Sequence, residues 1–179
     1  MQHYDDVRYI ATVDTKDEVQ GKIERWEAHT KGILHRALTL AVFVKDTVLL
    51  QHRKHPVFDS VYDMTISTHQ QYKDSTLQTD EEAMYQTLKR ELLLAPSSLK
   101  QIPQYKGTVM YQANDPKSDF IEHEVCHVYT CSVDAHPNFD PAYAYDLKAY
   151  SLETITNQTN SLYSRLAPWV KEMIKKGMV

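Results

Sequence analysis

The 179-residue chain is long enough for one ordinary domain, and its apolar fraction of 42% can fill a core. A net charge of -4 gives no basic face for a phosphate backbone, so nucleic acid is not the expected partner. The longest apolar run, residues 37–44, is far too short to span a bilayer, and no membrane association is expected.

From the start of the chain, residues 1–10 contain Asp5 and Asp6 and no long apolar run, so they do not read as an export signal. Val13 to Val19 reads as strand, polar turn and strand. Residues 37–44 form a buried strand, Lys45-Asp46 a tight turn, and Thr47 to Gln51 the returning partner. Val61 to His69 reads as one further strand. Thr79 and Glu82 predict a capping box, and Met84, Leu88 and Leu92 follow at helical spacing up to the stop at Pro96. Leu92 to Leu94 read as core residues. Tyr105 to Tyr111 and Ile121 to Ser132 read as strands, and Tyr150 to Ile155 as a strand running into a short helix. Pro168 fits the first turn of a last helix carrying Trp169, Val170, Met173 and Ile174. The order predicts one α/β domain over residues 1–179 (core about 10–178), α+β in layout, with a mixed sheet between helices.

The two cysteines, Cys126 and Cys131, fall five apart on one strand and therefore point to opposite faces; no disulfide is expected, and a reducing cytoplasm is the natural location. With four glycines, neither a dinucleotide-binding fingerprint nor a phosphate loop can be drawn. The histidines are more informative. His29 and His35 flank Gly32, His69 ends a strand, and Glu122 and Glu124 share one strand face. Three imidazoles and two carboxylates suit a borderline divalent ion such as Zn, Mn or Fe. No HExxH spacing is present and nine histidines are available, so unrelated surface residues are the alternative at this point.

Residues 29–37, His-Thr-Lys-Gly-Ile-Leu-His-Arg-Ala, resemble the segment entering the first core strand in the isopentenyl diphosphate isomerase family of the Nudix fold. Ile121-Glu122-His123-Glu124-Val125-Cys126 is similar to that family's Glu-x-Glu-Val-Cys strand. Ser67-Thr68-His69 stands where the family has Cys-Gly-His, and Ala167-Pro168-Trp169 is similar to its Pro-Trp. The matches run in order from about Val13 to Lys175. The resemblance implies a Nudix fold, a metal held by His29, His35, His69, Glu122 and Glu124, and a small-molecule diphosphate as partner. It further implies Glu124 as acid with Tyr111 beside it, and Trp169 either facing a developing cation or packing in the core. Arg25 and Lys54 match two basic positions that grip the diphosphate, with Arg53 as a neighbour. Glu91 matches the glutamate that holds Mg with the substrate.

Three departures accompany the resemblance. Ser67 replaces the catalytic cysteine, and no base is evident beside it in the sequence. Thr87 replaces an expected basic residue. Arg90-Glu91 is followed by Leu92, Leu93 and Leu94, where a Nudix hydrolase carries further carboxylates. The implied activity is a proton-in, proton-out rearrangement of isopentenyl diphosphate to dimethylallyl diphosphate, weakened by Ser67. The alternatives are a Nudix hydrolase of a small diphosphate or nucleotide, and a non-catalytic protein that binds a metal or diphosphate. Oligomeric state is left open.

Overall fold

The computed structural model describes residues 2–179. A short helix, α1 (Gln2–Asp5), precedes strands β1 (Tyr9–Val13) and β2 (Val19–Glu24). Helix α2 (Arg25–Lys31) leads into β3 (His35–Val44), which turns at Lys45-Asp46 into β4 (Thr47–Arg53). Then follow β5 (Tyr62–Met64), β6 (Ile66–Thr68), a small hairpin of β7 (Tyr72–Lys73) and β8 (Thr76–Leu77), and helix α3 (Asp80–Leu92). The chain closes with β9 (Gln104–Asn114), β10 (Ile121–Val133), β11 (Ala144–Ser151), α4 (Leu152–Thr156), α5 (Ser161–Ser164) and α6 (Pro168–Lys175).

Strand β3 is the spine of a mixed sheet. It runs parallel to β10 and antiparallel to β1, β4 and β6, while β9 pairs antiparallel with β10. Its side chains alternate between two cores. Ala37 and Ala41 join Trp169, Val170 and Met173 of α6 on one face. Leu38, Leu40 and Val42 join Met84, Leu88 and Leu92 of α3 on the other. The expected mixed sheet between helices is therefore present. Cys126 lies in the first core and Cys131 in the second, both unbridged, as the parity of a strand requires. Among the described residues no helix is long and apolar enough to cross a membrane.

The long strands and α3 follow the sequence expectations, including the Thr79–Glu82 capping box. Three features differ. The expected single strand over Val61 to His69 is broken at Thr65. Its hydroxyl accepts from the Val42 amide at 2.8 Å and donates to the Leu49 carbonyl at 2.7 Å, which fixes the break between β5 and β6. Helix α2 was not anticipated. Of the three leucines that end α3, only Leu92 is fully buried. Leu94 packs at the edge of the core, and Leu93, in the left-handed region at φ 55°, is 61% exposed.

A polar clasp of His127, Asp80, Asp17, Arg36 and Tyr129 fastens the start of α3 to the sheet. His127 of β10 stands between two carboxylates, with Nδ1 2.7 Å from Asp80 and Nε2 2.6 Å from Asp17. Arg36 binds Asp17 at 2.7 Å and Tyr129 donates to Asp80 at 2.6 Å. Burial pulls the His127 pKa down, but the two carboxylates outweigh it and raise it; burial likewise opposes His127 at Asp80, whose carboxyl ends below its usual value. A raised histidine contributes stability that is complete below its unfolded value of about 6.5 and is lost as pH rises through the folded value. Lowered Asp80 contributes above about 3.8 and loses its part as pH falls through its folded value. Denaturant unfolding of wild type and His127→Gln across pH 5–9 is expected to show the two stabilities converging above pH 6.5. A constant difference would mean that the clasp is uncharged.

Candidate metal centre and active-site cleft

Gly32 is the local reason that two histidines meet. Helix α2, capped at its start by the Glu24 side chain, ends at Gly32 in the left-handed region at φ 60°. A Cβ there would press on Ile121 at 3.2 Å, so the close turn needs glycine. The turn folds the end of α2 onto the start of β3 and leaves the His29 and His35 rings 4.8 Å apart. In register, Glu124 of β10 lies beside His35 on one side and Tyr111 of β9 on the other. His69, just past β6, completes the group, its ring 5.1 Å from that of His35 and 5.4 Å from that of His29.

One donor atom from each of His29, His35, His69 and Glu124 lies within 4.8 Å of the others. The backbone prepares two of the imidazoles. His29 Nδ1 bonds the Arg25 carbonyl and His35 Nδ1 bonds the Ile33 carbonyl, each at 2.7 Å. Both rings can therefore hold the Nδ1–H tautomer, with Nε2 free for an ion. His35 Nε2 and Glu122 Oε2 are buried without a hydrogen-bond partner. Glu122 sits at the edge of the group, Oε2 3.4 Å from His29 Nε2. Buried, unpartnered donors of this kind fit a divalent metal.

The electrostatics fit as well. Glu122 is pushed up by burial and by the neighbouring Glu124 carboxylate. At Glu124 burial is outweighed by the neighbouring His35 and His69 imidazoles, which hold it well below its usual range. Burial lowers His69 to about 4. Burial also pulls at His29, but the Glu122 carboxylate prevails and raises it to about 9. In the metal-free protein His29 thus carries a proton near neutrality, and an incoming cation must displace it. Zinc added to the metal-free protein in weak buffer at pH 7.5 is expected to release about one proton per ion, read by pH-stat. His29→Gln should remove that release, and a wild type that binds zinc without releasing protons would contradict the assignment.

The cleft beside this group is lined by Ser67, Tyr111, Trp169, Glu122 and Glu124 and by Arg25, Arg53, Arg90 and Glu91. Tyr111 donates to Glu124 Oε2, and its ring lies 5.7 Å from that of Trp169. Burial and the Glu124 charge drive the phenol well above its usual pKa, so Tyr111 keeps its proton. Trp169 is buried in the core and also lines the cleft, with its Nε1–H donated to Asp63 at 2.6 Å. The core-packing reading of this residue holds, and its ring also borders the cleft.

The basic residues divide. Arg25 stacks 4.2 Å over Trp26 and donates to the Tyr4 carbonyl at 3.1 Å, which holds α1 where its His3 and Tyr4 line the cleft. Arg53 gives its donors to Asp63 and the Val57 carbonyl. Lys54 is not among the lining residues and instead donates to the Pro141 carbonyl at 3.0 Å. Two residues without an assigned role in the sequence reading belong here. Arg90 lines the cleft and reaches Glu91 at 2.7 Å, supplying positive charge near Thr87. Asp63, fully buried, links Arg53, Trp169 and Ser67. Arg90 stood next to Glu91 in the sequence; Asp63 was marked only by the polar alternation Asp63, Thr65, Ser67.

No protein-family model matches the chain. It is 28% identical over 163 residues to the isopentenyl-diphosphate Delta-isomerase of Pectobacterium atrosepticum, covering 89% of this chain and 86% of that one. Among solved structures, a Deinococcus radiodurans protein superposes with a TM-score of 0.68 at 17% identity, covering 94% of this chain and 98% of that one. A MutT Nudix hydrolase from Burkholderia pseudomallei superposes with a TM-score of 0.55 at 17% identity, over 79% of this chain and 96% of that one. The sheet between helices is thus a Nudix fold. In sequence the chain is similar to isopentenyl-diphosphate Delta-isomerases over most of its length.

Proposed function

We propose that this protein is a metal-dependent isomerase that moves the double bond of isopentenyl diphosphate to give dimethylallyl diphosphate. The observation that carries the reading is Glu124, a buried carboxylate bonded to His69 and Tyr111 beside a cleft that also holds Trp169 and Ser67. A proton added to the terminal carbon leaves a tertiary cation, and a proton lost from the neighbouring carbon completes the shift. Glu124, once protonated from solvent, delivers the first proton and returns to the carboxylate that accepts from Tyr111. The Trp169 face stabilises the cation through its ring quadrupole. Ser67 stands where the second proton leaves.

His29, His35, His69 and Glu124, with Glu122 at the edge, would hold Zn, Mn or Fe. When bound, such an ion supplies positive charge that orients Glu124 and tunes its acidity. Glu91, which lines the cleft, would hold Mg together with the diphosphate. Arg25 and Arg90 are the guanidinium groups that would bind the anion. Arg90→Ala is expected to raise KM for isopentenyl diphosphate about tenfold or more, with kcat changed by less than threefold, because a charge-assisted contact contributes about 1.5–3 kcal/mol. A fall in kcat alone would place Arg90 elsewhere in the mechanism.

The experiment that tests the reading is proton and phosphorus NMR of isopentenyl diphosphate with the zinc- and magnesium-loaded protein in heavy water. Deuterated dimethylallyl diphosphate is the expected product. Phosphate release would favour hydrolysis instead, and unchanged spectra would favour a binding protein.

A further inference from the structure

A serine hydroxyl does not ionise near neutral pH, so Ser67 cannot receive a proton from carbon as a thiolate would. Taking up a proton while keeping its own would leave a strongly acidic oxonium. The hydroxyl can act only if its own proton leaves as the new one arrives. Ser67 Oγ donates to Asp63 Oδ1 at 3.0 Å, and Asp63 is wholly buried and absent from the cleft wall. Thr39 Oγ1 lies 2.9 Å from Ser67 Oγ and completes its surroundings within the protein. With its proton committed to Asp63, Ser67 can turn a lone pair to the cleft.

We propose that Asp63 is the positioning residue that makes Ser67 a working proton acceptor, a role that rests on the isomerase reading above. The balance of the step is complete. The C2–H bond of the substrate cation breaks, and its electron pair becomes the new double bond. That proton joins Ser67 Oγ as the hydroxyl proton of Ser67 passes to Asp63 Oδ1. Asp63 becomes a neutral acid and Ser67 is again a hydroxyl; after the product leaves, the proton passes back through Ser67 Oγ to water in the cleft and restores the carboxylate. Carbon beside a full positive charge is acidic, so a carboxylate is base enough. Asp63 also accepts from Trp169 Nε1–H, so the same carboxylate sets the plane of the ring that faces the cation. Arg53, at 2.8 Å, favours the ionised form of Asp63 against the burial that raises its pKa.

The test uses full-length, metal-loaded protein and isopentenyl diphosphate. Asp63→Asn keeps the side-chain shape and can still accept from Trp169, but it cannot take the proton. Relative to wild type, Asp63→Asn and Ser67→Ala are each expected to lose about 100-fold or more in kcat, with KM within threefold. The two changes combined should lose no more than either alone. Substrate deuterated at C2 should show a larger primary isotope effect with Asp63→Asn than with wild type, because proton loss becomes the slow step. In Ser67→Cys, whose thiol can ionise by itself, adding Asp63→Asn should cost less than tenfold. Where Asp63→Asn alone fails to fold, the same comparison is made with Arg53→Met and Asp63→Asn together, which remove both buried charges.

Wild-type turnover by Asp63→Asn overturns the relay, as does an equal loss in the Ser67→Cys background. Turnover by Ser67→Cys but not by wild type leaves the isomerase reading standing and overturns the relay alone. Silence in every variant defeats the isomerase reading and the relay with it.

Discussion

Glu124→Gln is expected to reduce the conversion of isopentenyl diphosphate about 10³- to 10⁴-fold while the protein remains folded, since a placed general acid contributes up to about that factor. The carboxylate is central in three ways. It bonds His69 Nε2 at 2.9 Å, approaches His35 Nε2 at 3.3 Å, and accepts from the Tyr111 hydroxyl. An amide keeps one acceptor oxygen and the volume of the side chain, so packing survives, but it neither gives up the proton nor neutralises a cation. The change should therefore lower zinc affinity together with kcat, read by chelator competition and by the NMR assay. Glu122→Gln provides the contrast, because Glu122 lies outside the tight group of donors and is not bonded to Tyr111. It should weaken the metal while the isomerisation rate at saturating zinc stays within about tenfold. Equal losses in both variants would place the acid elsewhere.

The legibility of this site in the sequence followed the regularity of its elements. Strand parity alone placed Glu122 and Glu124 on one face and separated the two cysteines, and the structure keeps both features. Helix α3 was readable because its cap and its apolar spacing agree. Helix α2 was not, since its seven residues show no apolar repeat; the signal that could have found it is the left-handed glycine at its end. The metal group drew on resemblance, because its histidines come from a helix end, a strand start and a loop that no spacing rule connects. Lys54 follows Arg53, and successive extended residues point opposite ways, so one of the pair was bound to face away from the cleft.

Asp63 was invisible for a different reason. In one continuous strand, residues four apart stand about 13 Å from each other and cannot touch. The break at Thr65 folds that distance away and brings Asp63 to within 3.0 Å of Ser67. A strand reading of Val61 to His69 therefore removed from view the very carboxylate that stands beside Ser67. The residue types were suggestive, with Asp63, Thr65 and Ser67 polar at every second position in an otherwise apolar stretch. What could not be read was that Thr65 spends its hydroxyl on fastening the bend.

Arg53→Met is the substitution expected to damage stability most, by about 3–5 kcal/mol, because it leaves one member of a buried ion pair alone. Asp63 is 0% exposed and Arg53 is 7% exposed. The guanidinium also donates to the Val57 carbonyl at 3.2 Å and lies 5.3 Å from the Trp169 ring. For a chain of this length the loss corresponds to a fall in Tm of about 6–20 °C by calorimetry. Adding Asp63→Asn should recover much of it, since the buried charge that lost its partner is then gone. Acidification should act in the same direction. Burial raises the Asp63 pKa while Arg53 opposes, so removing Arg53 lets it rise further. A raised carboxyl costs stability above its unfolded value, and the cost disappears as pH falls far enough to protonate it in both states. The deficit of Arg53→Met should therefore shrink from pH 7 to pH 4. A deficit independent of pH, with no recovery on adding Asp63→Asn, would mean that Arg53 stabilises the fold through packing and its carbonyl contact, and that Asp63 is already neutral in the native protein.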